Sequence, residues 1–142
     1  MRLQLPIPRA PGDGPSAGSA RAGRILVVED DYFVALELEH RLIEAGFDVV
    51  GIAATAEDAL EKARSGRPDL AVMDIRLAGA RDGIEAATDL IELGIPSIFA
   101  TAHADPETKR RAEQARPVGW LQKPYAPQSA IALIQEALVK RN

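Results

Sequence analysis

Four short aliphatic runs in this chain each lead directly into polar residues, and this feature most limits the folds open to it. The polar ends are, in chain order, Glu29-Asp30-Asp31, Asp74, Thr101 and Lys123. Unbroken aliphatic runs of this length are typical of strands that helices cover on both faces of a parallel sheet. Because the carboxyl ends of parallel strands lie at one edge, where open α/β sheets place their sites, we expect these polar residues to share one crevice.

The segments between these runs have helical spacing, so the chain from Arg24 onward predicts five strand–helix pairs. The expected strands cover about 24–28, 47–53, 69–74, 96–100 and 118–121. The expected helices cover about 31–45, 55–66, 82–93, 105–115 and 127–140. Thr55 and Asp105 are expected helix caps, the latter before a first-turn proline. The fold class is therefore α/β, a (βα)5 doubly wound parallel sheet, and periodicity leaves its strand order open.

The composition excludes several classes of protein. The chain has 142 residues, the size of one domain, and 46% of them are hydrophobic. It lacks an apolar run of the roughly 18 residues that a membrane span needs, and its first residues lack the pattern of a secretory signal. The absence of cysteine excludes disulfides and thiolate metal sites and fits a cytoplasmic protein. The net charge of −4 gives no general reason to bind nucleic acid or an anionic membrane.

Residues 1–23 differ in composition from the rest of the chain. They are rich in Pro, Gly, Ser and Ala and have no sustained periodicity. We expect a disordered or flexible N-terminal tail, with a docking arm as the alternative. Residues 24–142 are expected to form a single domain.

Four motifs at the ends of the expected strands resemble those of CheY-like receiver domains of two-component response regulators. They are Val27-Val28-Glu29-Asp30-Asp31, Met73-Asp74-Ile75-Arg76-Leu77 followed by Asp82-Gly83, Ala100-Thr101-Ala102, and Gln122-Lys123-Pro124-Tyr125. Each motif is common alone, whereas all four in this order are specific. The resemblance covers about residues 24–140. It implies a flavodoxin-like sheet with strand order 2-1-3-4-5.

The resemblance also implies a phosphoacceptor and a magnesium site. Asp74 matches the aspartate that accepts the phosphoryl group. Asp30 matches a direct Mg²⁺ ligand, Glu29 an acid that acts through water, and the backbone carbonyl of Arg76 a further ligand. This set suits the chemistry, because a carboxylate can attack phosphorus and Mg²⁺ prefers oxygen ligands.

Further roles follow from the resemblance at four other positions. Thr101 matches the hydroxyl that contacts the phosphoryl group, and Lys123 matches the lysine that places a positive charge opposite the metal. Trp120 lies where the family commonly has a Tyr or Phe that swings inward on activation. Arg76 and His103 match positions that tune the rate at which water removes the phosphoryl group.

Each of these residues also fits a simpler role when it is considered alone. Asp74 fits a turn-forming strand end, Thr101 a capping hydroxyl, Lys123 a solvated lysine and Trp120 an ordinary core residue. The acidic run fits a cap for the first helix, and Asp31 is assigned to that role and left out of the metal set. Arg76 and His103 fit the solvated rim of a crevice equally well.

We expect a stand-alone receiver that accepts a phosphoryl group from a histidine kinase or a histidine phosphotransfer protein. We expect a phosphorylation-controlled receiver and not an enzyme. Its output is expected through a downstream protein, or a second copy of the chain, at the face of the fourth helix, fifth strand and fifth helix. The main alternative is a small Mg²⁺-dependent phosphohydrolase with an aspartyl nucleophile. Such enzymes carry a second Asp two positions after the nucleophile, and here that position is Arg76. A receiver-like scaffold that is never phosphorylated is a third possibility.

Overall fold

The computed structural model describes residues 22–141, so the prediction for residues 1–21 lies outside the described residues. The strands are β1 (Arg24–Val28), β2 (Asp48–Ala53), β3 (Leu70–Asp74), β4 (Ser97–Thr101) and β5 (Gly119–Gln122). The helices are α1 (Tyr32–Glu44), α2 (Ala56–Gly66), α3 (Gly83–Glu92), α4 (Pro106–Ala112) and α5 (Pro127–Arg141). None of the helices in this part of the chain is long and apolar enough to cross a membrane.

The five strands form one parallel sheet in the order β2-β1-β3-β4-β5, with helices on both faces. The predicted fold class and the strand order implied by the resemblance are both confirmed. Every residue of β3 and β4 is buried, because these strands lie inside the sheet. One core lies between the sheet and α2, α3 and α4, and the other lies between the sheet and α1 and α5.

Side chains that cap helix N-termini lie along the carboxyl edge of the sheet. Asp31 accepts hydrogen bonds from the amides of Phe33 and Val34 at the start of α1. Thr55 and Asp105 cap α2 and α4, as the sequence predicted. Asp82 forms a capping box with Glu85 at the start of α3. These caps satisfy amides that would otherwise lack partners, and they fix where each loop of the sheet edge ends. Asp31 therefore has the structural role that the sequence assigned to it.

One helix end matches the expectation and another differs in detail. α2 ends at Gly66 as predicted, and the next residue, Arg67, is left-handed with φ of 51°. Gly66 is needed for packing, since a Cβ there would lie 2.8 Å from Cβ of Val50. The predicted fourth helix ends as an α-helix at Ala112 and continues to Ala115 as a tighter 3₁₀ turn.

The loop from β3 to α3 is held near its middle and at its end by backbone contacts. Ala78 donates a hydrogen bond of 3.0 Å to the carbonyl of Ala54, which ties the loop to the start of α2. Gly83 donates one of 2.7 Å to the carbonyl of Ile75. A Cβ at Gly83 would overlap the carbonyl oxygen of Asp74 and lie 2.9 Å from Cα of Ile75. The absence of a side chain at Gly83 therefore lets α3 begin against the backbone of Asp74.

We predict that Gly83→Ala lowers the free energy of unfolding by roughly 2–4 kcal/mol, because the new methyl group meets backbone atoms that cannot move aside. Urea unfolding measures the change. Gly51→Ala is the matched control, because its Cβ would meet only the flexible stem of Lys62. We expect it to cost less than about 1 kcal/mol. Equal effects of the two substitutions would contradict the close approach at Gly83.

Candidate functional site

Three carboxylates come together at the carboxyl edge of β1 and β3. Ligand atoms of Glu29, Asp30 and Asp74 all lie within 4.8 Å of one another. Glu29 and Asp74 are 5% and 6% exposed, whereas Asp30 is exposed. The strand register explains this arrangement, because Val28 pairs with Met73 and the residues that follow them are Glu29 and Asp74.

Lys123 supplies the positive charge in this cluster. Its ammonium group lies 3.0 Å from Oε1 of Glu29 and 3.2 Å from Oδ2 of Asp74. Burial lowers the pKa of Lys123, but the hydrogen bond to Glu29 and the attraction of Asp74 outweigh burial, so the pKa lies above its ordinary value. The backbone amide of Lys123 donates to the carbonyl of Thr101, and the Lys123–Pro124 peptide bond is cis. The lysine is therefore charged and held from two sides.

The charges of the cluster fit a divalent cation. Burial raises the pKa of Glu29 to about 7, and the negative charge of Asp74 adds to this effect against the hydrogen bonds from the Asp31 amide and Lys123. By formal charge, the single Lys123 offsets only one of the three acids in the cluster. Oxygen donors with excess negative charge, one of them exposed to solvent, are the ligands that Mg²⁺ takes while keeping some of its water.

Thr101, the last residue of β4, and His103 lie beside the cluster. Oγ1 of Thr101 accepts a hydrogen bond of 3.2 Å from the amide of His103 and lies 3.4 Å from its carbonyl oxygen. The hydroxyl therefore stabilises a local turn, as one of the simpler interpretations of the sequence expected. Thr101 is 9% exposed and His103 is exposed.

A cleft of about 840 Å³ surrounds these residues. The cleft brings together most of the residues that the sequence predicted for the site: Glu29, Asp30, Asp74, Arg76, Thr101, His103 and Lys123. Helix α1 and the loop after β5 form the rest of its wall. Tyr125 belongs to that loop, and burial, with the charge of Glu29, raises the pKa of its hydroxyl to about 12. The sequence assigned Tyr125 no role, although its position two residues after Lys123 was a usable signal.

Trp120 is the one predicted functional residue that does not line this cleft. Its ring packs against Phe99, with ring centroids 5.1 Å apart and an angle of 35° between the planes. The ammonium group of Lys109 in α4 lies 5.4 Å from its centroid, within the range of a cation–π contact. The indole therefore lies between Phe99 of the core and Lys109 of α4.

A family model described as the response regulator receiver domain matches residues 25–135. The transcriptional regulatory protein PdtaR of Mycobacterium tuberculosis is 32% identical over 128 residues, which cover 89% of this chain and 62% of PdtaR. The chemotaxis protein CheY of Halobacterium salinarum is 30% identical over 119 residues, which cover 82% of this chain and 98% of CheY. The chain thus spans less than two thirds of the length of PdtaR and nearly all of CheY.

A solved structure has the same fold. The receiver domain of a modulated diguanylate cyclase from Desulfovibrio desulfuricans superimposes with a TM-score of 0.77 at 39% sequence identity. The match covers 83% of this chain and 94% of that domain. The five-stranded sheet and the positions of the loops at its carboxyl edge are therefore those of a known class of domain.

We predict that Asp30→Ala abolishes Mg²⁺ binding, because it removes an exposed oxygen ligand from the cluster. Asp31→Ala is the matched control at the neighbouring position. It should keep the metal and cost about 1 kcal/mol of stability, since it removes the cap of α1. Calorimetric titration with Mg²⁺ measures the first effect, and urea unfolding measures the second. Loss of metal binding in Asp31→Ala with retention in Asp30→Ala would show that Asp31 is the ligand and Asp30 is not.

Proposed function

The chain belongs to the family of response regulator receiver domains, and we propose that Asp74 is the residue on which it accepts a phosphoryl group. The observation that carries this proposal is the position of Asp74 at the end of the middle strand of the sheet. There a lysine lies against one of its oxygens and two further acids lie beside it. A carboxylate in this setting is protected from bulk water and open to a donor only through the cleft.

The proposed step is a displacement at phosphorus. A carboxylate oxygen of Asp74 forms a bond to the phosphorus atom of a phosphorylated histidine, and the phosphorus–nitrogen bond breaks. The electron pair of that bond stays on the imidazole nitrogen of the donor. Lys123 offsets the negative charge that gathers on the phosphoryl oxygens, and the buried cluster holds Asp74 in place for the attack.

We propose Glu29, Asp30 and Asp74, with the backbone carbonyl of Arg76, as the residues that hold Mg²⁺. When bound, the cation reduces the repulsion between the carboxylate and the anionic phosphoryl group. Until then Lys123 is the cation in contact with Glu29 and Asp74. The geometry supports this assignment, because ligand atoms of the three acids lie within 4.8 Å of one another and, among the described residues, only Lys123 offsets their charge.

We propose that Thr101 detects the phosphoryl group. Its hydroxyl would leave the turn with His103 and donate to a phosphoryl oxygen, and the loop into α4 would then move with it. Trp120 packs between Phe99 and Lys109 of α4, so the indole is placed to respond to that movement. The output surface in this proposal is the face of α4, β5 and α5, with a downstream protein or a second copy of the chain as its partner.

The donor in this proposal is a histidine kinase or a histidine phosphotransfer protein, and the location is cytoplasmic, in keeping with the family. Slow loss of the phosphoryl group to water completes the cycle. Arg76 and His103 are exposed at the rim of the cleft, where each side chain would limit or order the water that attacks. The phosphohydrolase alternative is not favoured, because the family match covers nearly all the described residues and Arg76 lies where such enzymes need an acid.

The acceptor is tested by intact mass after incubation with acetyl phosphate and Mg²⁺. We predict one added phosphoryl group in the wild type and none in Asp74→Asn, because the amide is not a nucleophile toward phosphorus. Asp105→Asn is the matched control, since Asp105 also lines the cleft and Asn caps a helix as well as Asp does. It should be labelled like the wild type. Strong labelling of Asp74→Asn would place the acceptor elsewhere.

The output is tested by tryptophan emission, since Trp120 is the only tryptophan in the sequence. We predict that beryllofluoride with Mg²⁺, which imitates a phosphoryl group on a carboxylate, changes the emission of the wild type. Thr101→Ala should bind beryllofluoride and show a much weaker change, and Thr101→Ser, which keeps a hydroxyl, should restore it. An equal change in Thr101→Ala would mean that the indole responds to the occupied site without the threonine.

A further inference from the structure

Asp82 makes two connections with its two carboxylate oxygens. Oδ1 accepts a hydrogen bond of 3.0 Å from the amide of Glu85 and so caps α3. Oδ2 accepts one of 2.8 Å from Arg111, which lies 29 positions away in the last turn of α4. The residue that begins α3 is therefore also the residue to which α4 is attached. No other ion pair among the described residues joins α4 to α3.

The ion pair is charged at neutral pH and only partly open to water. The side chains of Asp82 and Arg111 are 33% and 46% exposed. Burial raises the pKa of Asp82, but the hydrogen bonds from Arg111 and from the amide of Glu85 outweigh it, so the pKa lies below its ordinary value. The hydrogen bond that Arg111 donates to Asp82 raises the pKa of Arg111. Since the cap already holds the carboxylate in position, pairing with the arginine costs the Asp82 side chain little conformational entropy.

The next residue connects this ion pair to the acceptor. Gly83 is buried, and its Cα lies so close to the carbonyl of Asp74 that no side chain fits between them. Its amide also donates 2.7 Å to the carbonyl of Ile75. A displacement of Asp82 would therefore be transmitted through Gly83 to the backbone of Asp74 and Ile75, over a single peptide unit.

We propose that Arg111 is a positioning residue, which clamps the end of the β3–α3 loop through Asp82 and so holds the phosphoacceptor in its reactive position. The proposal rests on the proposed role of Asp74, and it concerns a residue outside the cleft. It also makes α4 and the acceptor mutually dependent, by a route that uses neither Thr101 nor Trp120. Coupling between two sites is reciprocal. A partner that holds α4 in place would therefore strengthen binding at Asp74 by the same factor by which binding at Asp74 strengthens binding of the partner.

The test compares Arg111→Gln with Arg110→Gln. Arg110 is its neighbour on α4 and pairs only within that helix, with Glu107, so it is the matched control. Two quantities are measured in each variant: the hydrogen exchange rate of the Gly83 amide without ligand, and the calorimetric affinity for beryllofluoride with Mg²⁺. Loss of a partly exposed ion pair predicts about threefold faster exchange and about threefold weaker binding in Arg111→Gln.

Two further variants separate the clamp from a general loss of stability. Asp82→Asn keeps the cap of α3 but removes the charge, so it should reproduce both effects. The double variant Asp82→Asn/Arg111→Gln should be no worse than either single variant, because the same interaction is already lost. Arg111→Lys should restore part of the wild-type behaviour, since it keeps the charge.

Each possible outcome either supports the proposed clamp by Arg111 or overturns it. Gly83 exchange that is the same in Arg111→Gln and Arg110→Gln would overturn the clamp. Faster exchange with unchanged beryllofluoride affinity would show a clamp with no influence on the acceptor, and it would overturn the positioning role. If the wild type bound no beryllofluoride, the function proposed above would be wrong, and hydrogen exchange would still decide whether the clamp exists.

Discussion

Repulsion among the three carboxylates at the sheet edge is the constraint on which the rest of the site depends. Register alone places Glu29 beside Asp74, because Val28 pairs with Met73 in adjacent parallel strands. Burying two acids side by side is costly unless a positive charge accompanies them. Lys123 supplies that charge from the loop after β5, which is two strands away from β3. The fold therefore has to bring together residues from both halves of the chain before the charges at the carboxyl ends of β1 and β3 are even partly offset.

Lys123 does not neutralise the whole cluster, and the remaining negative charge favours a bound cation. A cluster whose charges were fully compensated would attract another cation only weakly. Here three carboxylates face one lysine, so the site keeps an electrostatic preference for added positive charge. That preference is available only because the backbone prevents the acids from separating. The loop after β3 is fastened at Ala78 and at Gly83, so Asp74 cannot relax away from its neighbours.

The sequence predicts the fold and the members of the cluster well because their signals are local. Asp74 follows an aliphatic run, and Thr55 and Asp105 precede helical patterns, so each role can be assigned from a few adjacent residues. The contact between Asp82 and Arg111 joins residues 29 positions apart across two helices, and no local pattern indicates it. The role of Gly66 was likewise hidden. A glycine at a helix end suggests a left-handed residue, whereas the structure uses this one for contact with Val50 and places Arg67 in that conformation.

Packing around Trp120 limits how the site can communicate with α4. Phe99 of β4 pairs with Trp120 of β5 in the sheet register, and the two rings are also in contact. Thr101 lies two residues further along the same strand, so a shift of its backbone acts on the strand that carries Phe99. Phe99 is fully buried against the indole, so an inward turn of a ring larger than a phenol would displace it. In the proposed switch, the response at Trp120 is therefore a small tilt, and such a tilt would move Lys109. Since Lys109 and Arg111 belong to the same short helix, the ring contact and the ion pair with Asp82 act on one rigid element. A signal that moves α4 away from one of these contacts therefore also has to overcome the other.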